Sequence, residues 1–307
     1  MDEKEDAENS IQLALHLCEQ YLKQPEKLCR ERQLIKLQKK FKAFEQKYNY
    51  SKEEMFDELI RLAKLRTLIK PRNVFLVNAG SSGSHWIEAM LDEIDGIISL
   101  NEVYFSKELR LEMKELDTIG KQMVMNLVHL CHSPILSDDA ASAIFINSAH
   151  TKGTRFYRSI EPECKCILLV RDPLSIVISR TFRKEAFRQS IAPDLTDSEY
   201  FNNNIELVKR WFERNLASEF DLICKYESFV EDAKNELNQI LILLNQECSD
   251  EKLKEIVFTH NRENILSKKS EDKANLYTGK RKPIPKNLND LAIEKFKHIR
   301  SELEYKK

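Results

Sequence analysis

Charge of either sign is not in excess in this chain: 49 Lys and Arg stand against 50 Asp and Glu, a formal −1 at pH 7. A balance this close to zero gives no electrostatic reason to expect nucleic-acid or membrane-surface partners, so any anion site must be local. No apolar run approaches the ~20 residues of a membrane-spanning helix. The opening MDEKEDAENS is acidic and polar, without the basic n-region of a signal peptide. CxxC is missing too. The seven cysteines lie scattered at Cys18, Cys29, Cys131, Cys164, Cys166, Cys224 and Cys248. Cys18, Cys131 and Cys224 sit inside apolar runs, which suits buried thiols in a reducing compartment better than a disulfide framework. Together these absences set the expected location as cytoplasmic.

What is present is enough chain for a full core. The 307 residues, 42% hydrophobic, correspond to one large domain or one domain with an added segment. Residues 1–70 read as helical and form the expected N-terminal extension. Pro25 suits the first turn of a second helix, and Ser51 with Glu54 makes a capping box ahead of a third. From residue 71 the texture changes to short apolar runs alternating with helical patterns. Strands are predicted at NVFLVN (73–78), GIISL (96–100), SAIFIN (142–147), KCILLV (165–170) and DLICKY (221–226). Apolar on both faces and separated by helices, they predict a three-layer α/β/α domain over 71–307 with a central, mostly parallel five-stranded sheet. In such sheets ligands sit beyond the carboxyl ends of the strands.

Two of those strand ends carry chemistry. After NVFLVN comes Gly80-Ser81-Ser82-Gly83-Ser84-His85-Trp86, then a helix. The glycines let the backbone approach a ligand, the serines offer hydroxyls, and the helix start presents unpaired N–H groups; together they make an anion cradle. No Lys follows the second glycine, so the Walker pattern is absent and a kinase-like reading with ATP is disfavoured. After KCILLV comes Arg171-Asp172-Pro173, with Ser179 two helical turns on. A guanidinium at a strand end can grip a phosphate bidentately.

Taken together, NAGSSGSHW and VRDPLSIVISR resemble the 5′-phosphosulfate and 3′-phosphate motifs of the sulfotransferases that use 3′-phosphoadenosine 5′-phosphosulfate (PAPS). DLICKYESFVED is similar to that family's strand ending in Tyr-Glu-Asp, and LAIEKFKHI looks like its C-terminal helix. The ordered set spans roughly residues 73–304. The resemblance implies a P-loop-like α/β fold and the donor PAPS, with no metal required. It implies that Ser82, Gly83 and Ser84 hold the 5′-phosphosulfate, with His85 at the second Thr position. Trp86 would stack on the adenine, Arg171 and Ser179 would hold the 3′-phosphate, and Tyr226 would contact the adenine. Two departures stand out. The family's basic residue in the first loop falls at Ser81, and its Arg-Lys-Gly triplet falls near Tyr277-Thr278-Gly279, where only the glycine matches. Lys280, Arg281 and Lys282 follow and are candidates to serve instead.

Two residues compete as the base that removes the acceptor proton. His150 follows the third strand, 21 residues before Arg171, which resembles the placement of the catalytic His in cytosolic-type sulfotransferases. The family's basic residue two positions earlier is Ser148 here. Glu102, after the second strand, resembles the Glu of several carbohydrate and protein sulfotransferases, and burial would have to raise its pKa for that role. His150 is the slightly favoured choice. The expected activity is sulfuryl transfer from PAPS to a hydroxyl or amine of a soluble small molecule. The readings kept beside it are a binding or regulatory module that has lost catalysis, motivated by Ser81 and Ser148, and a carbohydrate sulfotransferase using Glu102. A homodimer stays open. His129-Leu130-Cys131-His132 looks metal-like, yet its members lie on different helix faces and no second cluster completes four ligands, which argues against metal.

Overall fold

The computed structural model describes residues 3–70, 72–150, 154–182, 192–261, 264 and 284–305. The chain alternates helices and strands around one sheet: α1 (Glu3–Lys23), α2 (Glu31–Tyr48), α3 (Lys52–Ile69), β1 (Asn73–Asn78), α4 (Ser84–Leu91), β2 (Ile97–Asn101), α5 (Lys107–Glu112), α6 (Thr118–Leu130), α7 (Asp138–Ser142) and β3 (Ile144–Ala149). There follow α8 (Arg155–Arg158), β4 (Lys165–Val170), α9 (Pro173–Phe182), α10 (Asp197–Leu216), β5 (Leu222–Lys225), α11 (Tyr226–Leu244), α12 (Asp250–Thr259) and α13 (Lys286–Glu302). The five strands are all parallel, in the order β2-β3-β1-β4-β5. Every residue of β1 and of β3 is buried, so both faces of these strands are covered, as their uninterrupted apolar runs require. The fold is the α/β architecture expected from the strand pattern.

Several boundaries differ from the reading of the sequence: the second strand is Ile97–Asn101, the third runs on to Ala149 and the fifth starts at Leu222. Pro25 opens a separate 3₁₀ turn, Pro25–Lys27, and the long helix starts only at Glu31 after an extended Arg30. Ser142 belongs to α7 rather than to the third strand, which begins at Ile144. Tyr226 is the first residue of α11 and not the last of β5. The capping box holds: Ser51 Oγ accepts from Glu54 N at 3.2 Å, and Ser51 N donates to the Glu54 carboxylate at 2.8 Å.

By internal contacts the chain divides into two units, residues 1–75 with 91–149 and 155–165, and residues 76–90 with 150–154 and 166–307. In the first, α1 and α3 lie against α6. Its most demanding residue is Arg66, fully buried on α3. The guanidinium donates to the carbonyls of Ala140, Ala141 and Ala143 at 3.0, 3.3 and 2.6 Å and to Asn73 Oδ1 at 3.0 Å. It stacks 3.7 Å over the Phe145 ring. Asn73 passes the charge on by donating its Nδ2 to Glu161 at 2.6 Å. Burial pushes the Arg66 pKa down to about 9 and pulls that of Glu161 up. His129, also fully buried, holds Asn73 Oδ1 at 3.2 Å, and burial keeps its pKa well below the usual range. It is a core imidazole. In the second unit α9 lies against α10, and α13 against both, with Phe201 and Phe212 of α10 and Phe296 of α13 fully buried.

Arg66→Met keeps the bulk but leaves three carbonyls and Asn73 without their donor in a dry site. It should lower the unfolding free energy by ~3–5 kcal/mol, the cost of breaking a buried charged network. Urea denaturation measures this, and a loss under ~1 kcal/mol would contradict the role given to Arg66.

Candidate functional site

The loop that leaves β1 is shaped by its own side chains. Asn78, fully buried, donates Nδ2 to Leu76 O at 3.0 Å and accepts from Gly80 N at 2.9 Å. Gly80, Ser81 and Gly83 take left-handed φ values of 73°, 59° and 92°. Two of these three positions are glycine, and Ser81 carries the third against the usual penalty for a side chain there. A Cβ added at Gly83 would overlap the Tyr226 ring, 2.6 Å from Cε2. Glycine is therefore required at 83 by backbone angle and by space. The turn aims Ser82 inward: its hydroxyl is fully buried and has no hydrogen-bond partner among the described residues. Ser84, also buried, opens α4, whose first N–H groups have no intrahelical acceptor. An orphaned buried hydroxyl beside a helix N-terminus fits a phosphate-type oxyanion.

Arg171 and Arg180 brace this loop. Arg171, beyond the end of β4, donates to Ser81 O at 3.0 Å and stacks 4.3 Å over the Tyr226 ring. Its buried Nε has no partner among the described residues. Arg180, on α9 next to the buried Ser179, donates to Ala79 O at 2.7 Å. The reading of the sequence missed Arg180. The available signal was a lone cation inside the apolar stretch LSIVISRTF. The Arg171 segment is held in turn by the C-terminal helix: Arg300 pairs with Asp172 at 3.2 Å, and Glu227 accepts from Asp172 N at 3.1 Å and from the Tyr305 hydroxyl at 2.8 Å. Burial raises the Asp172 pKa while Arg300 opposes the shift, and burial with the Glu227 carboxylate pushes Tyr305 above the usual phenol range.

His150 follows β3 and belongs to the same unit as the loop. Its Nδ1 lies 3.0 Å from Asn78 O. A Cβ placed on Gly80 would stand 3.6 Å from His150 Cε1 and 3.5 Å from Arg180 Nη1, so an imidazole and a guanidinium flank one glycine. Trp86 donates Nε1 to His260 O at 2.7 Å and meets Tyr226 and Phe229 edge-on, with centroids at 6.0 and 6.4 Å. His85 is mostly exposed and turns to Glu88 at 3.5 Å. Glu102 belongs to the other unit, where it accepts from the Tyr104 hydroxyl at 2.7 Å. Gly279, Lys280, Arg281 and Lys282 lie outside the described residues. The first unit, which holds Glu102, also holds a cavity of about 440 Å³ rimmed by Lys107, Arg110, Lys114 and Lys121, which none of the residues named for the loop lines. Among the described residues no group of three or more His, Cys, Asp or Glu is placed to hold a metal, and no helix is long and apolar enough to cross a membrane.

The sulfotransferase domain family matches residues 71–302, about three quarters of the chain. The chain belongs to the sulfotransferase family. No curated protein sequence matches it. Among solved structures, mouse sulfotransferase SULT7A1 complexed with PAP (adenosine 3′,5′-bisphosphate) is 16% identical, with a TM-score of 0.49 over 76% of this chain and 89% of that one. Sulfotransferase STF1 from Mycobacterium tuberculosis is 9% identical, with a TM-score of 0.48 over 96% and 98%. STF9 from Mycobacterium avium is 10% identical, with a TM-score of 0.48 over 82% and 85%. At these scores the family assignment rests on the domain match alone, and the roles of residues in this sulfotransferase rest on its own geometry.

Gly83→Ala should destabilise the protein by ~2–4 kcal/mol, through left-handed strain and overlap with Tyr226. In a double-mutant cycle with Tyr226→Ala the two losses should fall short of additivity by ~1 kcal/mol or more, because removing the ring removes the overlap. Additive losses in thermal or urea unfolding would show that Tyr226 does not occupy that space.

Proposed function

We propose that this sulfotransferase moves a sulfuryl group from PAPS to a hydroxyl or amine of a soluble small-molecule acceptor, with His150 as the base. The observation that carries this reading is the loop after β1, where a buried, unpartnered Ser82 hydroxyl and the Arg171 guanidinium meet one glycine-bent backbone. PAPS, when bound, supplies an activated sulfur whose bond to the bridging oxygen breaks as the bond to the acceptor forms, so PAP leaves with the electron pair. Ser82, Ser84 and the start of α4 would hold the 5′-phosphosulfate, and Arg171 with Ser179 the 3′-phosphate. The partition into a helical extension over 1–70 and a catalytic domain from 71 is part of the proposal, supported by the start of the family match.

The chain's own task is to hold charge and take a proton. With His150 Nδ1–H donating to Asn78 O, the neutral imidazole keeps its lone pair on Nε2, which takes the acceptor proton. Glu102 stays the second reading for the base; its carboxylate already accepts from Tyr104. Trp86 and Tyr226 meet edge-on beside Gly83, which supports them as the adenine wall.

The test is PAP formation from PAPS over a panel of small phenols, alcohols and amines. Once an acceptor is found, His150→Ala should cut turnover ~10²–10⁴-fold, the usual worth of a general base, with PAP affinity kept. Glu102→Gln should leave turnover within ~3-fold, since a carboxylate spent on Tyr104 makes no transition-state contact. The reverse pattern would move the base to Glu102, and tight PAP binding with no turnover on any acceptor would favour a binding module.

A further inference from the structure

We propose that Arg180 supplies the positive charge that the loop after β1 itself lacks, standing beside the sulfuryl group as it is transferred. The inference rests on the donor reading above and deepens it. The sulfuryl group of PAPS carries negative charge on its own oxygens throughout the transfer, and a site shielded from water needs a fixed cation beside them. Residues 78–86 contain no Lys or Arg, and Ser148, two residues before His150, is neutral as well. His85 is mostly exposed and faces Glu88. Arg180 reaches the loop from another element.

Three observations place it there for more than bracing. Its Nη1 lies 2.7 Å from Ala79 O and 3.5 Å from the point where a Gly80 Cβ would stand, the same point that His150 Cε1 approaches to 3.6 Å. Cation and candidate base therefore flank one residue of the loop. The guanidinium is also held in orientation. Asn204, almost fully buried on α10, accepts from Arg180 Nε at 3.0 Å while its Nδ2 donates to Thr181 Oγ1 at 3.2 Å and to Tyr200 O at 3.0 Å. Finally, Arg180 has no carboxylate partner among the described residues, although it is half-buried. Burial lowers its pKa from the ordinary guanidinium value. A cation desolvated without a counter-ion gains most from an anion that arrives with the substrate.

A brace for Ala79 O alone and a sulfuryl contact are separable by binding, without turnover. PAP lacks the sulfuryl group and PAPS carries it. In calorimetric titrations without acceptor, Arg180→Gln should weaken PAPS by about 10–100-fold, the scale of a charge-assisted hydrogen bond, and PAP by less than about 3-fold. Arg180→Lys, which keeps the charge and guards against a misfolded Gln variant, should recover part of the PAPS loss. Equal weakening of both nucleotides, or no weakening of either, would overturn the proposal and leave Arg180 a structural brace. A wild-type protein that binds neither nucleotide would sink the donor reading itself, before any variant is compared.

Discussion

The turn after β1 is held by two guanidinium groups that grip alternate carbonyls. Arg171 takes Ser81 O and Arg180 takes Ala79 O. A turn with Ser81 in the left-handed region between two glycines would not hold one conformation by itself, because the Ser81 strain and the lost backbone freedom of Gly80 and Gly83 must be offset by surrounding contacts. The two clamps, the Asn78 side chain and the Tyr226 ring over Gly83 supply those contacts. The same turn leaves the buried Ser82 hydroxyl without a partner among the described residues, two residues before the start of α4. Stability of the turn and the proposed affinity for an oxyanion would thus come from one set of groups.

The clamp on Arg171 is itself anchored at a distance. Asp172 is half-buried and would resist ionisation if left alone; Arg300 from the C-terminal helix offsets that burial. Glu227 accepts from the Asp172 backbone and from Tyr305, so the segment after β4, the start of α11 and the end of α13 share one polar cluster. This gives the last helix a purpose that its own amphipathic pattern does not reveal. It fixes the strand end from which Arg171 departs.

The fold was largely legible because its strands are extreme. NVFLVN and KCILLV are apolar on both faces, bounded by turn residues, and match β1 and β4 residue for residue. Legibility fell where local chemistry is weak. Ala140, Ala141 and Ser142 have no branched side chains to favour a strand, and the Asp138–Asp139 pair suits a helix start, so β3 begins two residues later than the apolar run suggests. Pro25 closes a short turn instead of opening the long helix because Cys29 N returns to Pro25 O at 2.8 Å and Arg30 is extended. Of the candidate site, the positions near strand ends were readable: Ser82 and Gly83 follow β1, His150 follows β3 and Arg171 follows β4, where ligands of parallel sheets bind, while their roles belong to the proposal. Arg180 and Asn204 were not, since their roles depend on contacts 101 and 24 residues apart in sequence. The pairing of Arg300 with Asp172 was hidden for the same reason.

Membership of the sulfotransferase family settles the class of chemistry, and the geometry suggests how this chain meets its demands without a lysine in the first loop. On the proposed reading, the turn after β1 and the segment after β4 together recognise a nucleotide by its 3′-phosphate as well as its 5′ end. Calorimetric comparison of PAP with AMP and with ATP and magnesium tests this most directly. The account predicts PAP binding at least ~100-fold tighter than AMP, the upper range of a charge-assisted contact to Arg171. Equal affinity for PAP and AMP, or a preference for ATP with magnesium, would contradict it.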